Sequence, residues 1–339
     1  MVDIDIDNAD VNHSIVNFNT LVLSVAMANG LGKVPNSDKT SIYEVEITAD
    51  GGQIYISPED GNIVLINAII DWGDGSSEEY STRNSYLHTY EKAGAYRISI
   101  TADLTTLWGG FQARSNAELK SVIRFADCVT ELGIPPNAPY VGNWEYIRLP
   151  KTMTVLRNYI FNNSNNNLKY VYGLENVVEI GDNCFPWYGL QNAEILLPKC
   201  TSIGTNSFVY TGITKLDAPE LTYIGPCALN STNLKYFNAP KLSNLGGCMS
   251  RCNTIEVAHL EGLTSIISKS SEDTFIDLSD LCWKNMTLYV SDSLKNIGEY
   301  AFNGSNIVIE YSGTQEQWDA IEKAEYWDSG ATITLHCNG

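Results

Sequence analysis

The chain reads as a mainly β protein whose larger part is a solenoid, and two observations predict this. Between Leu197 and Leu263 the sequence repeats at a fixed step of 21 residues: Leu197-Pro198-Lys199-Cys200, Ala218-Pro219-Glu220-Leu221, Ala239-Pro240-Lys241-Leu242. Ile203-Gly204, Ile224-Gly225 and Leu245-Gly246 follow at the same step. A period of that size belongs to stacked units, none of which buries its apolar face without neighbours. Upstream, residues 41–103 alternate apolar and polar side chains with the two-residue period of strands, broken by Gly, Pro and Asp turns.

Composition narrows the setting. At 339 residues, 44% hydrophobic and 18% charged, the chain is long enough for two or three units with their own cores. Forty acidic against 21 basic residues give a formal charge of -19. That excludes nucleic acid and anionic membrane as partners, because both reward a basic patch. No stretch approaches the roughly 18 apolar residues that span a bilayer. The first basic residue is Lys33, so the start lacks a cationic signal-peptide region. Of the eight cysteines, Cys227 and Cys248 stand one repeat apart and are expected to stack as small buried hydrophobes. Free buried thiols are the expectation, with a disulfide framework as the alternative.

The elements follow in order. Residues 1–40 form a polar, Asn-rich arm with an amphipathic helix over 14–28 that stops at Asn29-Gly30. Asp3, Asp5, Asp7 and Asp10 resemble a calcium loop but lack its glycine and bidentate Glu, so they read as a solvated acidic segment. In the β unit 41–103, strands fall at 42–47, 53–56, 63–70 and 96–100. Within it lie Ile70-Asp71-Trp72-Gly73-Asp74-Gly75 and His88-Thr89-Tyr90-Glu91-Lys92-Ala93-Gly94-Ala95-Tyr96. Asp71 and Asp74 suit capping of a Gly-rich turn, and Tyr90 and Tyr96 suit packing between sheets. This pair of motifs resembles the PKD domain, with Trp72 where that family usually has Phe. The resemblance implies an immunoglobulin-like β-sandwich used for interaction or spacing.

Residues 104–311 form the solenoid with its N-terminal capping region, in which 119–123 and 129–133 read as a degenerate first repeat against the sandwich. After each Ile/Leu-Gly pair, the third position holds Cys184, Ser207, Ala228, Met249 and Ala301, and the fourth holds Phe185, Phe208, Leu229, Ser250 and Phe302. The small residue lets coils approach, the aromatic fills the core and Gly makes the turn. This signature resembles the BspA-like leucine-rich repeats of bacterial and phage surface proteins, over roughly 117–311 with a poor patch at 264–290. Residues 312–339 form a C-terminal cap: Tyr311-Ser312-Gly313-Thr314-Gln315-Glu316-Gln317-Trp318 resembles the segment that closes many such arrays. Thr314 is placed to N-cap a short helix, and Trp318 and Ile321 to seal the last coil before a strand at 331–335.

No phosphate-binding loop, zinc-protease motif or nucleophile elbow occurs. Four scattered histidines and the Cys248/Cys252 pair supply no zinc spacing. The expectation is a non-catalytic protein without cofactor or metal, whose function lies on its surface. Trp187, Tyr188 and Tyr210 near the turns are candidates for stacking on sugars or anchoring a protein; the alternative is an aromatic ladder over the edge. Three functions remain. One is a virion-associated phage decoration or fibre protein, assembled in the host cytoplasm, joined to other virion subunits through residues 1–40 and displaying a surface to host proteins or glycans. The second is a secreted bacterial adhesin, and the third an accessory module of a carbohydrate-active enzyme. The absent signal and expected free thiols favour the first; homo-oligomerisation is compatible with each.

Overall fold

The computed structural model describes residues 39–56, 68–80, 86–102, 106–108, 111–126, 131–133, 145–161, 167–185, 187–249, 251–266, 285–302 and 304–339. The helix expected at 14–28, the acidic segment, all but the last two residues of the arm, and most of the poor patch lie outside the described residues.

The N-terminal unit contains β1 (Thr40–Ile47), β2 (Gln53–Ile56), β3 (Ala68–Asp71), β4 (Ser77–Tyr80), β5 (Tyr86–Thr89), β6 (Gly94–Thr101), β7 (Thr106–Trp108), β8 (Phe111–Ala113), β9 (Ala117–Arg124) and β10 (Glu131–Gly133). One sheet runs β4-β3-β6-β1-β9, and a smaller one runs β5-β2-β8. Alternation sets the faces: Tyr43, Val45 and Ile47 of β1 point inward to meet Ile70, Ile98 and Ile100, and Ile54 of β2 joins the same core.

The larger sheet does not stop at this unit. β9 pairs antiparallel with β1 on one side and parallel with β11 (Tyr146–Arg148) on the other, Ile147 opposite Val122. The degenerate first repeat therefore converts an antiparallel sheet into the parallel sheet of a solenoid.

From there the coils deliver strands alternately to a back and a front sheet. β12 (Val155–Leu156) is back, β13 (Tyr170–Tyr172) front, β14 (Glu179–Ile180) back and β15 (Glu194–Leu196) front. They continue as β16 (Ser202–Ile203) back, β17 (Lys215–Asp217) front, β18 (Tyr223–Ile224) back, then β19 (Tyr236–Asn238) and β20 (Val257–His259), both front. β21 (Ser265–Ile266) is back, β22 (Asn285–Val290) front, β23 (Asn296–Ile297) back and β24 (Asn306–Tyr311) front. The short helix α1 (Gln315–Asp319) precedes β25 (Glu322–Lys323), back, and β26 (Thr332–Cys337), front. Seven front strands, β15-β17-β19-β20-β22-β24-β26, form one parallel sheet. The 312–339 segment thus supplies one more coil. Its helix opens with a capping box: Gln317 N–H donates to Thr314 Oγ1 and the Thr314 N–H to Gln317 Oε1. Trp318 and Ile321 are buried under it.

Between the sheets the core is built in columns, with Ile195, Leu216, Phe237, Ala258, Leu288 and Ile309 from the front and Ile180, Ile203 and Ile224 from the back. Phe161, Phe185 and Phe208 stack along a third column, at 5.6 and 4.6 Å between ring centroids.

Two details correct the repeat alignment. The coil at 246–252 is one residue short in its turn. The backbone N–H of Phe208 bonds Ala228 O, and that of Leu229 bonds Cys248 O, so Cys248 takes the small-residue slot and Met249 the aromatic one. Both are buried, whereas Cys227 is half-exposed at a turn with φ 56°. Cys227 and Cys248 therefore do not share a column.

The second detail concerns glycine. Gly204 and Gly225 do not have positive φ; a Cβ on Gly225 would sit 2.5 Å from Thr205 N and 2.7 Å from Gly204 C. These glycines permit close approach of coils. The turn itself is made two residues later by left-handed Asn183, Asn206, Cys227 and Tyr300.

Candidate ligand-binding faces

The motif residues of the N-terminal unit converge on one corner. Asp71 Oδ1 accepts from Gly73 N–H at 2.9 Å, and Asp74 Oδ1 from Ser76 N–H at 2.9 Å and Ser76 Oγ at 2.6 Å. The buried Trp72 ring stacks on His88 at 4.4 Å and 7°, while His88 Nε2 lies 2.8 Å from Asp74 Oδ2. Tyr90 donates to Trp72 O at 3.0 Å and packs on Tyr96 at 4.4 Å. The indole Nε1 of Trp72 is buried without a partner among the described residues, so the corner uses its ring area.

Burial raises the Asp74 pKa, but hydrogen bonds from Ser76 and His88 outweigh it and hold the carboxyl below its ordinary value. A lowered folded-state pKa contributes stability above the unfolded value, about 3.9, and loses it as pH falls through the folded one. The melting temperature of the parent protein is therefore expected to fall more steeply than that of Asp74→Asn as pH drops from about 5 to about 3. Parallel slopes in calorimetric scans would exclude this corner as an acid-sensitive point.

The buried thiols Cys184, Cys200 and Cys248 carry no reactive character. Burial pushes Cys184 up to about 12, Cys200 up to about 11 and Cys248 well above its ordinary value, so they stay protonated. All six cysteines among the described residues are free.

The solenoid has two surfaces that could receive a ligand. At the rim, Trp187 and Tyr188 are about half exposed. Tyr210 lies 5.2 Å from Trp187 and 6.1 Å from Tyr188, so the three candidates read from sequence do form a cluster. Phe185, Phe208 and Phe302 are wholly buried and serve packing.

The front sheet is the second surface. Because its strands are parallel and in register, the residues flanking each inward side chain line up in two outward rows. One row is Glu194, Lys215, Tyr236, Val257, Thr287, Val308 and Thr334. The other is Leu196, Asp217, Asn238, His259, Tyr289, Glu310 and His336. His259 stacks on Tyr289 at 4.2 Å and 14° and meets Tyr236 at 5.7 Å, and Lys215 Nζ lies 5.3 Å over the Tyr236 ring.

Polar partners fix the flanks of this face. Asn238 donates to Asp217 at 2.8 Å, His336 Nδ1 lies 2.7 Å from Glu310, and His259 Nδ1 lies 3.3 Å from Glu261. The pair with His336 and the Asn338 amide hold the Glu310 carboxyl below its ordinary value. The Tyr236 and Tyr289 hydroxyls have no hydrogen-bond partner among the described residues. The result is an aromatic centre with carboxylates on both sides. The sequence reading missed this face, although the signal was present: Leu196, Asp217, Asn238 and His259 recur at the same 21-residue step as the core.

Fold and face together define a repeat protein of the leucine-rich β-solenoid class. Residues 133–256 match the family described as the BspA type leucine rich repeat region, in six copies, so the chain contains such a region. Among solved structures it is similar to a leucine rich cell surface protein from Faecalibacterium prausnitzii A2-165. That likeness spans 66% of this chain and 86% of that one, with 16% identity and a TM-score of 0.22, a level that bears on neither shape nor function. No curated protein matches the chain significantly.

Proposed function

We propose that this chain is a non-catalytic display scaffold of the bacterial surface adhesin type, with the front sheet of the solenoid as its ligand-binding face. The observation that carries this reading is the pair of in-register outward rows, where Tyr236, His259 and Tyr289 make a preordered aromatic patch on adjacent strands. A rigid sheet loses little conformational entropy on binding, and an aromatic centre inside a polar margin is how interface hot spots are arranged. The BspA-type repeats support a surface location more than a virion one. The N-terminal unit serves as a PKD-like spacer, a reading supported by the corner around Trp72, His88 and Tyr90 and by two sheets sharing one core.

The test is adhesion of the purified protein to mucin-coated and epithelial-cell surfaces. The double variant Tyr236→Ala/Tyr289→Ala is expected to bind at least about tenfold more weakly, two hot-spot losses of more than 1 kcal/mol each, with an unchanged melting temperature. Equal binding by variant and parent would remove the front face from consideration. The virion reading keeps one support, the free cysteines, which suit assembly in a reducing cytoplasm. Its attachment arm lies almost wholly outside the described residues, and co-purification of the chain with phage particles would decide for it.

A further inference from the structure

Five tyrosines of the solenoid stand in a backbone conformation that disfavours bulky side chains. Tyr159, Tyr188, Tyr210, Tyr300 and Tyr326 have φ of 64°, 62°, 57°, 56° and 59°. In that left-handed region Cβ crowds the following carbonyl, and an aromatic residue there is an outlier. Other coils show what the backbone alone prefers. The position of Tyr159, Tyr300 and Tyr326 is filled elsewhere by Asn183, Asn206, Cys227 and Gly247, and the second left-handed position, that of Tyr188 and Tyr210, by Ser231, Arg251, Gly304 and Gly330, none of them aromatic.

Burial does not offset this cost at four of the five positions, Tyr210 being partly buried. Tyr159, Tyr188, Tyr300 and Tyr326 are 46%, 57%, 42% and 54% exposed. Four of the five rings gather instead into two stacks on the turns that lead from back to front sheet: Tyr188 with Tyr210 and Trp187, and Tyr300 with Tyr326 at 5.9 Å and 8°. Four coil steps, from the turn before β17 to the turn before β24, separate them, about 19 Å at the usual strand spacing. Strain retained at exposed positions points to a role outside the fold.

We propose that this rim is a carbohydrate-binding edge, whose two aromatic stacks hold two stretches of one neutral polysaccharide. The C–H face of a sugar ring, slightly positive, matches the negative face of an aromatic ring. Carboxylates on the turns of the second stack, Glu299 and Glu325 beside Tyr326, accept sugar hydroxyls. Those acids and the net charge of -19 repel anionic glycans, which selects neutral ones. Two stacks on one rigid rim bind a polymer with avidity.

The test replaces the tyrosines with asparagine, which tolerates the left-handed conformation better than an aromatic residue. Tyr188→Asn/Tyr210→Asn and Tyr300→Asn/Tyr326→Asn are expected to melt at or above the parent temperature, because strain is relieved. Binding to laminarin, mannan or xyloglucan, measured by affinity electrophoresis with hyaluronan as the anionic control, is expected to fall at least tenfold in each. The front-face variant Tyr236→Ala/Tyr289→Ala should keep polysaccharide binding, so this proposal and the front-face reading fail separately. A lowered melting temperature would make the tyrosines structural and overturn the proposal. So would parent protein that binds none of the three neutral polymers, or asparagine variants that bind as the parent does.

Discussion

Phe208→Ala lowers the unfolding free energy by about 4 kcal/mol, the cost of emptying a large, fully packed aromatic site. Phe208 is wholly buried, and its ring lies 4.6 Å from Phe185 at 18°, so each ring is one wall of the other's site. Coils are stabilised by their neighbours, so the damage extends beyond one turn. Urea unfolding monitored by far-ultraviolet circular dichroism is expected to show both a lower midpoint and a broader transition, as coils on either side of the cavity decouple. A midpoint shift of less than about 1 kcal/mol would mean that the column relaxes around the gap and that the stacked rings matter less than the strand columns.

How much could be read from sequence follows from how information is repeated in this fold. A core slot recurs in each coil, so Ile203, Ile224 and the Phe185/Phe208 column declare themselves through the period. The slot of Cys248 did not, because one residue lost in the turn before it is restored before Val257 and the overall step stays at 21. The outward rows of the front sheet recur at the same step, but their chemistry changes from coil to coil. Position was therefore legible and role was not, and only the stacking of His259 on Tyr289 makes a patch of them. The continuous sheet through β1, β9 and β11 left no local trace. Its pairing of Val45 with Leu119 joins residues far apart in the chain, and each strand alone reads only as an alternating segment. The rim was half legible: Trp187, Tyr188 and Tyr210 stood out as aromatics near turns, but the backbone strain that sets them apart from ordinary surface rings is a property of φ.

The two kinds of glycine in this solenoid should respond oppositely in size to one added methyl group. In Gly225→Ala the new Cβ meets Thr205 N at 2.5 Å, Gly204 C at 2.7 Å and Thr205 Cα at 2.9 Å, all backbone atoms of the preceding coil. No rotamer change relieves such a contact, so the coils must separate, and a loss of about 3 kcal/mol is expected. In Gly304→Ala the Cβ meets nothing within 4 Å, and the cost comes from φ of +64° alone, about 1 kcal/mol. Chemical denaturation of the two variants beside the parent measures both. Because the clash falls at the ends of the back strands β16 and β18 and forces whole coils apart, Gly225→Ala should also weaken ligand binding at the front face, whereas Gly304→Ala should leave it intact. Equal destabilisation of the two would mean that the turn conformation, and not the approach of coils, is what glycine supplies after each Ile or Leu.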